Sequence, residues 1–254
     1  MIDVHNHLLI NVDDGPESEE DLISLLKQAK EQGITGIVVT PHHLHPRYNN
    51  SFDDIDREIN RLNKMQEIKH FNIQLFAGQE IRLTDKILED INQHQIRGIN
   101  GSKYLLIELP SNEIPHYTKK LLYEIQTKGF IPIIAHPERN KSIAKDINLL
   151  YELINNGALS QVTASSLTGE LGKNIQKISI QMIEHNLIHF VASDAHHSER
   201  RPFRLGDLFN VPKLKYIESE IKRLLNNNEA IIQDKDINRK RPIEYKKNKF
   251  FGLF

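Results

Sequence analysis

Short runs of Ile, Val and Leu recur along the chain, separated by longer segments in which apolar residues return every third or fourth position. Seven runs read as strands: residues 2–5, 34–40, 73–80, 104–109, 131–136, 158–163 and 187–194. Between the first two, Ser18 and Glu19 open a segment carrying Leu22, Leu25, Leu26 and Ala29, and Gly33 supplies the stop. Ile55, Ile59 and Leu62 mark a second helix, and Thr84 can cap a third that carries Ile87, Leu88 and Ile91. Pro115 can open another that Gly129 ends, and residues 146–156 and 173–186 read as two more. Strand and helix alternate, which argues for a parallel sheet. Single-direction winding over seven units favours a closed or nearly closed barrel over an open doubly wound sheet. The expected fold is therefore α/β, a single-domain distorted (β/α)7 barrel over residues 1–234, followed by a tail at residues 235–254.

The polar residues fall in a regular place. Metal-competent side chains sit at the same end of six of the seven runs: His5 and His7, His42, Glu80, Glu108, His136, then Asp194 and His196. In a parallel barrel all carboxyl ends open on one face, so these groups should converge there. Taken singly, each has an ordinary reading. Asp13-Asp14-Gly15-Pro16 is first of all a turn, His42 and His43 could be loop histidines, and His136 could be a satisfied core histidine. His5 and His7 lie on the same side of an extended chain, as do Asp194 and His196. Glu80 and Glu108 end apolar strands, where a buried carboxylate without a partner is costly, so a cation or an arginine is expected beside each. The conjunction of all of them at one end points to a metal site.

Composition narrows the chemistry. Hydrophobic residues make up 39% and charged residues 26%, the profile of a globular protein. No run approaches the length of a membrane span, and the first residues lack the features of a signal peptide, so a cytoplasmic location is expected. The absence of cysteine excludes a thiolate nucleophile, a thiolate zinc site and a redox switch. Residues 235–254 carry a net +5, which against an overall −1 leaves about −6 for residues 1–234. An acidic body is a poor match for a nucleic-acid backbone, and no Gly-rich phosphate loop follows any strand. In the tail, Lys246, Lys247 and Lys249 precede Phe250 and Phe251, a pattern suited to an anionic membrane surface or an acidic partner; docking on its own barrel is the plainer alternative.

Mixed imidazole and carboxylate ligands without thiolate suit manganese, iron or zinc. The candidates outnumber what one ion can use, so two or three ions are expected, and clustered ions clamp a phosphate or generate a bridging hydroxide. Arg139, Arg200, Arg201 and Arg47 lie near the strand ends and can offer forked donors to phosphate oxygens. The expected reaction is hydrolysis of a phosphate ester by direct attack of a metal-bridging hydroxide, without a phosphoenzyme. Arg139, with help from Arg201, would stabilise the transferring phosphoryl group.

These residues resemble, in order and spacing over residues 1 to about 210, the PHP (polymerase and histidinol phosphatase) superfamily. The match is closest to its CpsB/CapC-type capsular-polysaccharide tyrosine phosphatases. The resemblance rests on His5-Asn6-His7 with Asp13-Asp14-Gly15-Pro16, Thr40-Pro41-His42-His43, Gly78-Gln79-Glu80, Glu108, Ala135-His136-Pro137-Glu138-Arg139 and Ser193-Asp194-Ala195-His196. It implies a seven-stranded barrel with three ions, usually manganese, with iron, cobalt or zinc as alternatives in the cell. His5, His7, Glu80 and Asp194 would hold the first ion, Glu80, Glu108 and His136 the second, and Asp14, His42 and His196 the third. Asp14 is the residue the family pattern selects, although the sequence itself leaves Asp13 open. Glu108 stands where most of the superfamily has a histidine, as in the tyrosine-phosphatase branch, and joins Arg139 and Arg201 as an expected catalytic group. The implied substrate is phosphotyrosine on the tail of a capsule-regulating bacterial tyrosine kinase. The competing readings are a small-molecule phosphatase of the histidinol-phosphatase type and a noncatalytic metal-bound scaffold that docks a kinase. Ten ligand-competent positions argue against the scaffold, since docking alone needs no open multinuclear site.

Overall fold

Nine strands, all paired in parallel, build the barrel in the computed structural model, which describes residues 1–246. They are β1 Ile2–Asp3, β2 Gly36–Val39, β3 His42–His43, β4 Gln74–Ala77, β5 Glu80–Arg82, β6 Tyr104–Glu108, β7 Ile131–Ala135, β8 Leu159–Thr163 and β9 Phe190–Ala192. Nine appear where seven were expected because two runs are kinked. One sheet runs β1-β2-β4 and the other β3-β5-β6-β7-β8-β9. Across the kinks, Gly78 N donates to Val39 O at 2.9 Å and Glu80 N to Pro41 O at 3.1 Å, so the two kinked strands stay side by side. Pro41 has no N–H to give a ladder. At Gly78 a Cβ would lie 2.8 Å from Val38 Cγ1, so the strands approach there only because that position carries no side chain. The barrel closes where the chain began: His7 N donates to Ala195 O and Asp194 N to His5 O, both at 2.8 Å.

The helices are α1 Glu19–Glu31, α2 Phe52–Leu62, α3 Gln66–Lys69, α4 Ile87–Asn92, α5 Thr118–Thr127, α6 Lys141–Lys145, α7 Asn148–Asn155, α8 Ala164–Thr168, α9 Lys173–Glu184 and α10 Glu218–Ile232. In α1 the apolar stripe Leu22, Leu25, Leu26 and Ala29 is buried as its spacing requires, and Ser18 caps it by accepting from Asp21 N. Thr84 does not cap α4, whose cap position is Lys86; the Thr84 hydroxyl accepts from Lys86 N two residues ahead of the cap. Helix α10 lies beyond the seventh predicted run and is not among the predicted elements. This helix lies against the amino ends of β1 and β9, and Asn228 bridges them by donating to Ile2 O at 2.9 Å and Val191 O at 2.7 Å.

Strand alternation explains where the site sits. Tyr104, Leu106, Ile133, Ala135, Leu159, Phe190 and Ala192 pack with Ile231 of α10 inside the barrel, while Leu105, Ile107, Ile134, Val162 and Val191 pack outward beneath the helices. Two residues beyond the last interior apolar position of each strand, the same period places Glu108 above Leu106, Gln161 above Leu159 and Asp194 above Ala192. The barrel thus has an apolar floor and a polar mouth.

Residues 235–246 lie along the barrel surface. Tyr104 donates its hydroxyl to Lys235 O, Lys103 pairs with Asp236 at 2.7 Å, Ile243 N donates to His185 O, and Tyr245 exchanges two hydrogen bonds with Asn148. Lys247, Lys249 and the phenylalanines of the expected basic, aromatic tail lie outside the described residues. No helix among the described residues is long and apolar enough to cross a membrane.

Candidate metal centre

The barrel mouth brings together all nine expected ligands. His5 and His7 follow β1, and their Nε2 atoms lie 3.4 and 3.2 Å from Glu80 Oε2 and 3.3 and 3.5 Å from Asp194 Oδ1. His42 Nδ1 is 3.0 Å from the same Glu80 oxygen, and His136 Nε2 reaches Glu80 Oε1 at 2.7 Å. Asp14 Oδ1 sits 3.4 Å from His42 Nε2 and 3.3 Å from His196 Nε2. Three groups of donor atoms are close enough to share an ion: His7, Asp14, His42 and His196; His5, His7 and Glu80; and His42, Glu80 and Glu108. His42 therefore stands between two groups, where the family pattern gave it to one. Glu108 is held by Arg82 at 2.8 Å.

The two carboxylates left open by the sequence separate by geometry. Asp13 is turned away from the cavity: its Oδ2 meets His7 Nδ1 at 2.5 Å and accepts from His42 N at 3.2 Å, while Oδ1 accepts from Gly15 N. It orients His7 so that Nε2 faces Glu80, while Asp14 offers its carboxylate to the cavity. Gln161 plays the same part for His5, with Oε1 at 2.8 Å from Nδ1. Asp3 anchors the Asp194 turn, accepting from Ser193 N at 2.9 Å and from the Ser193 hydroxyl.

Two of these positions are strained. His136 has φ +32 and Asp194 φ +53, left-handed conformations that cost an L-residue about 1–2 kcal/mol. The expectation of an extended Ser193 to His196 is therefore corrected. The backbone turns at Asp194, which swings Oδ1 inward while the Asp3 and His5 contacts hold the turn.

The atoms aimed inward are buried and lack hydrogen bonds: Nε2 of His5, His7 and His196, Nδ1 of His42 and Oδ1 of Asp194. Of the five carboxylates here, Glu108 pairs with Arg82, Asp194 with Arg139 and Arg201, and Asp14 with Arg201 at 3.8 Å, while Asp13 and Glu80 face histidines. Burial works against charge on every group here, so partners decide the outcome. Against burial, Asp14 and Glu80 raise His42 to about 11, and Asp13 raises His7 to about 9. Arg139 and Arg201 hold Asp194 well below the usual carboxylate range despite its burial. Burial and then the charge on Glu80 push Glu108 up. Burial and then His7 hold His196 down to about 4. The raised His42 and His7 mark a pocket that draws positive charge inward, and its nitrogen and oxygen donor set fits divalent transition ions.

Of the four arginines expected to serve phosphate, two reach the cavity. Arg139 and Arg201 each place Nη2 2.6 Å from Asp194 Oδ2, at the edge of a cavity of about 310 Å³. Arg200 lines an adjoining cavity, and Arg47 lies over the Tyr48 ring at 5.0 Å. His43 turns away from the centre to Asp90 at 2.9 Å.

Fold and site together define an α/β barrel with a histidine, aspartate and glutamate cluster able to bind metal ions. The model of the capsular polysaccharide synthesis family CpsB/CapC matches residues 1–233, and the chain belongs to that family. It is 54% identical over 254 residues to CapC of Staphylococcus aureus, covering 100% of both chains. It is 39% identical over 255 residues to the tyrosine-protein phosphatase YwqE of Bacillus subtilis (strain 168), again covering 100% of each. A solved structure from work on YwqE from Bacillus subtilis and CpsB from Streptococcus pneumoniae, described as unique metal-dependent tyrosine phosphatases, superposes with a TM-score of 0.92. It is 38% identical and the match covers 97% of this chain and 100% of that one.

Proposed function

We propose that the chain is a metal-dependent protein-tyrosine phosphatase that acts in the cytoplasm on the phosphotyrosine tail of a capsule-regulating tyrosine kinase, with manganese as the working ion. The observation that carries the reading is the cluster of buried nitrogen and oxygen donors at the barrel mouth, where His42, Glu80, Glu108, His136 and Asp194 line one cavity with two guanidiniums at its edge. Full-length similarity to proteins named tyrosine-protein phosphatases supports the substrate class.

In this proposal His5, His7, Glu80 and Asp194 hold one ion, Glu80, Glu108 and His136 a second, and Asp14, His42 and His196 a third. When bound, the ions supply Lewis acidity to phosphoryl oxygens and acidify water toward neutral pH. The protein's own contribution is positional. Asp13 and Gln161 fix the rings of His7 and His5, and Arg82 fixes Glu108. Arg139 and Arg201 present their remaining N–H groups to the phosphoryl oxygens, where the charge of the transferring group is spread.

The test compares phosphotyrosine peptide with histidinol phosphate on one preparation, stripped by chelator and reloaded with manganese. Activity is expected to vanish and return, with two or three ions per active chain by elemental analysis and the peptide as the better substrate. Active protein carrying one ion or none would refute the multinuclear assignment, and preference for histidinol phosphate would move the protein to small-molecule chemistry.

A further inference from the structure

The cavity wall carries an aromatic feature that the phosphoryl chemistry leaves unused. Directly after β3, Leu44 adopts φ +56, an unfavourable conformation for a leucine. It is held there by Asn49, whose side-chain oxygen accepts from Leu44 N at 3.1 Å. The next four residues close on themselves, His45 N donating to Tyr48 O at 3.0 Å and Tyr48 N to His45 O at 3.2 Å. Asn50 fastens the base by donating to Val12 O and His42 O. Strain of this kind persists only where the surroundings over-determine it. Its effect here is to fold His45 and Tyr48 back against the metal centre.

The result is three nearly parallel rings. His42 and His45 stack at 4.7 Å between centroids and 19°, His45 and Tyr48 at 5.3 Å and 16°, and His42 and Tyr48 at 6.0 Å and 4°. His45 lines the cavity of the metal centre, and Tyr48 lines the adjoining cavity of about 450 Å³; the two cavities share Asp14 and Arg201. Both rings are partly exposed, so they have surface left to offer.

We propose that His45 and Tyr48 are specificity residues: their rings form a wall on which the phenyl ring of a phosphotyrosine packs while its phosphoryl group lies between Arg139 and Arg201. The inference rests on the phosphatase reading above. An aryl phosphate carries its ring directly on the ester oxygen, so a phosphoryl group seated in the inner cavity leads the ring toward the shared rim. Aromatic rings gain from offset stacking beyond their simple burial, and an alkyl phosphate has no ring to place there. The opposing explanation is that the stack only props His42, in which case aryl and alkyl substrates would suffer alike.

The experiment uses manganese-loaded full-length protein in four forms: wild type, His45→Ala, Tyr48→Ala and Tyr48→Phe. The ratio of kcat/KM for phenyl phosphate to that for glycerol phosphate is expected to fall about 2- to 12-fold in each alanine variant, chiefly through KM. It should stay near the wild-type ratio in Tyr48→Phe, which keeps the ring. Calorimetric binding of benzylphosphonate against propylphosphonate should give the same order without turnover. An unchanged ratio in both alanine variants, including an equal loss on the two substrates, overturns the proposal. Wild-type protein that hydrolyses neither ester yet binds benzylphosphonate in a ring-dependent way would uphold the wall and remove the phosphatase reading instead.

Discussion

Replacing Arg139 by alanine isolates the positional role of the protein from that of the ions. Asp194 divides its two oxygens. Oδ2 takes the Nη2 groups of Arg139 and Arg201 at 2.6 Å each, while Oδ1 faces His5 and His7 at 3.3 and 3.5 Å. Removing Arg139 therefore leaves Oδ1 presented and Oδ2 still pinned by Arg201, so metal content should not change. What is lost is one forked donor to the phosphoryl group. A hydrogen bond to a charged group is worth about 1.5–3 kcal/mol, which predicts a fall in kcat of about 10- to 150-fold. Arg139→Lys should recover only part of it, since a lysine keeps the charge and lacks the fork. The double variant with Arg201→Ala should lose more than the product of the single losses, because Asp194 then has no guanidinium left. The assay is steady-state turnover of a phosphotyrosine peptide with elemental analysis of the same samples. Turnover of Arg139→Ala within about twofold of wild type, or loss of ions from it, would refute this reasoning.

Three further outcomes are expected. Asp13→Ala should weaken manganese affinity about 10- to 100-fold by freeing the His7 ring, as measured by titration of metal-free protein; unchanged affinity would remove Asp13 from the support of the site. Deleting residues 246–254 should slow dephosphorylation of a kinase tail while sparing a small aryl phosphate, and equal loss on both would mean that the tail is structural. The third concerns His189, which accepts from Ser160 N at 3.2 Å and is pushed down to about 3 by burial and then by Arg223 and Arg239. Because the unfolded chain takes up this proton near pH 6.5 and the folded one does not, stability is complete above that pH and is lost as pH falls toward 3. The slope approaches about 1.4 kcal/mol per unit. Between pH 6 and 5, wild type should lose about 1 kcal/mol more than His189→Asn in urea unfolding, a comparison that cancels the titration of the metal centre; parallel losses would refute it.

The barrel was legible because its physics is local. Apolar runs of strand length alternate with stripes of helical period, and burial of Leu22, Leu25, Leu26 and Ala29 in α1 is what such a stripe is for. The kinks were not legible, because Gly78 and Pro41 acquire their meaning only from the neighbouring strand: Gly78 is required by the approach of Val38 and Thr40. The missed helix α10 is a different case. Ile221, Leu224 and Leu225 have helical spacing and are buried, so the signal is present in the sequence, but it follows the last strand and belongs to no strand–helix repeat.

The clustered donors were legible from the cost of burying them. A carboxylate or imidazole ending an apolar strand is expensive unless something at the mouth compensates it, so Glu80, Glu108, His136 and Asp194 stand out against their own strands. Their supports do not stand out. Asp13 reads as a turn residue, Gln161 lies inside a predicted strand and Arg82 lies just past the predicted run 73–80, and each becomes informative only when the fold sets it beside His7, His5 or Glu108. Left-handed backbone at His136 and Asp194 is equally invisible, since Asp and His tolerate a positive φ without requiring one and the turn is imposed from outside, at Asp194 by Asp3 through Ser193. Sequence periodicity thus locates charge that needs a cation, whereas the aim of each donor atom is set by contacts between distant segments. The groups that provide that aim, Asp13 and Arg82 foremost, are where substitutions should alter metal affinity without removing a ligand.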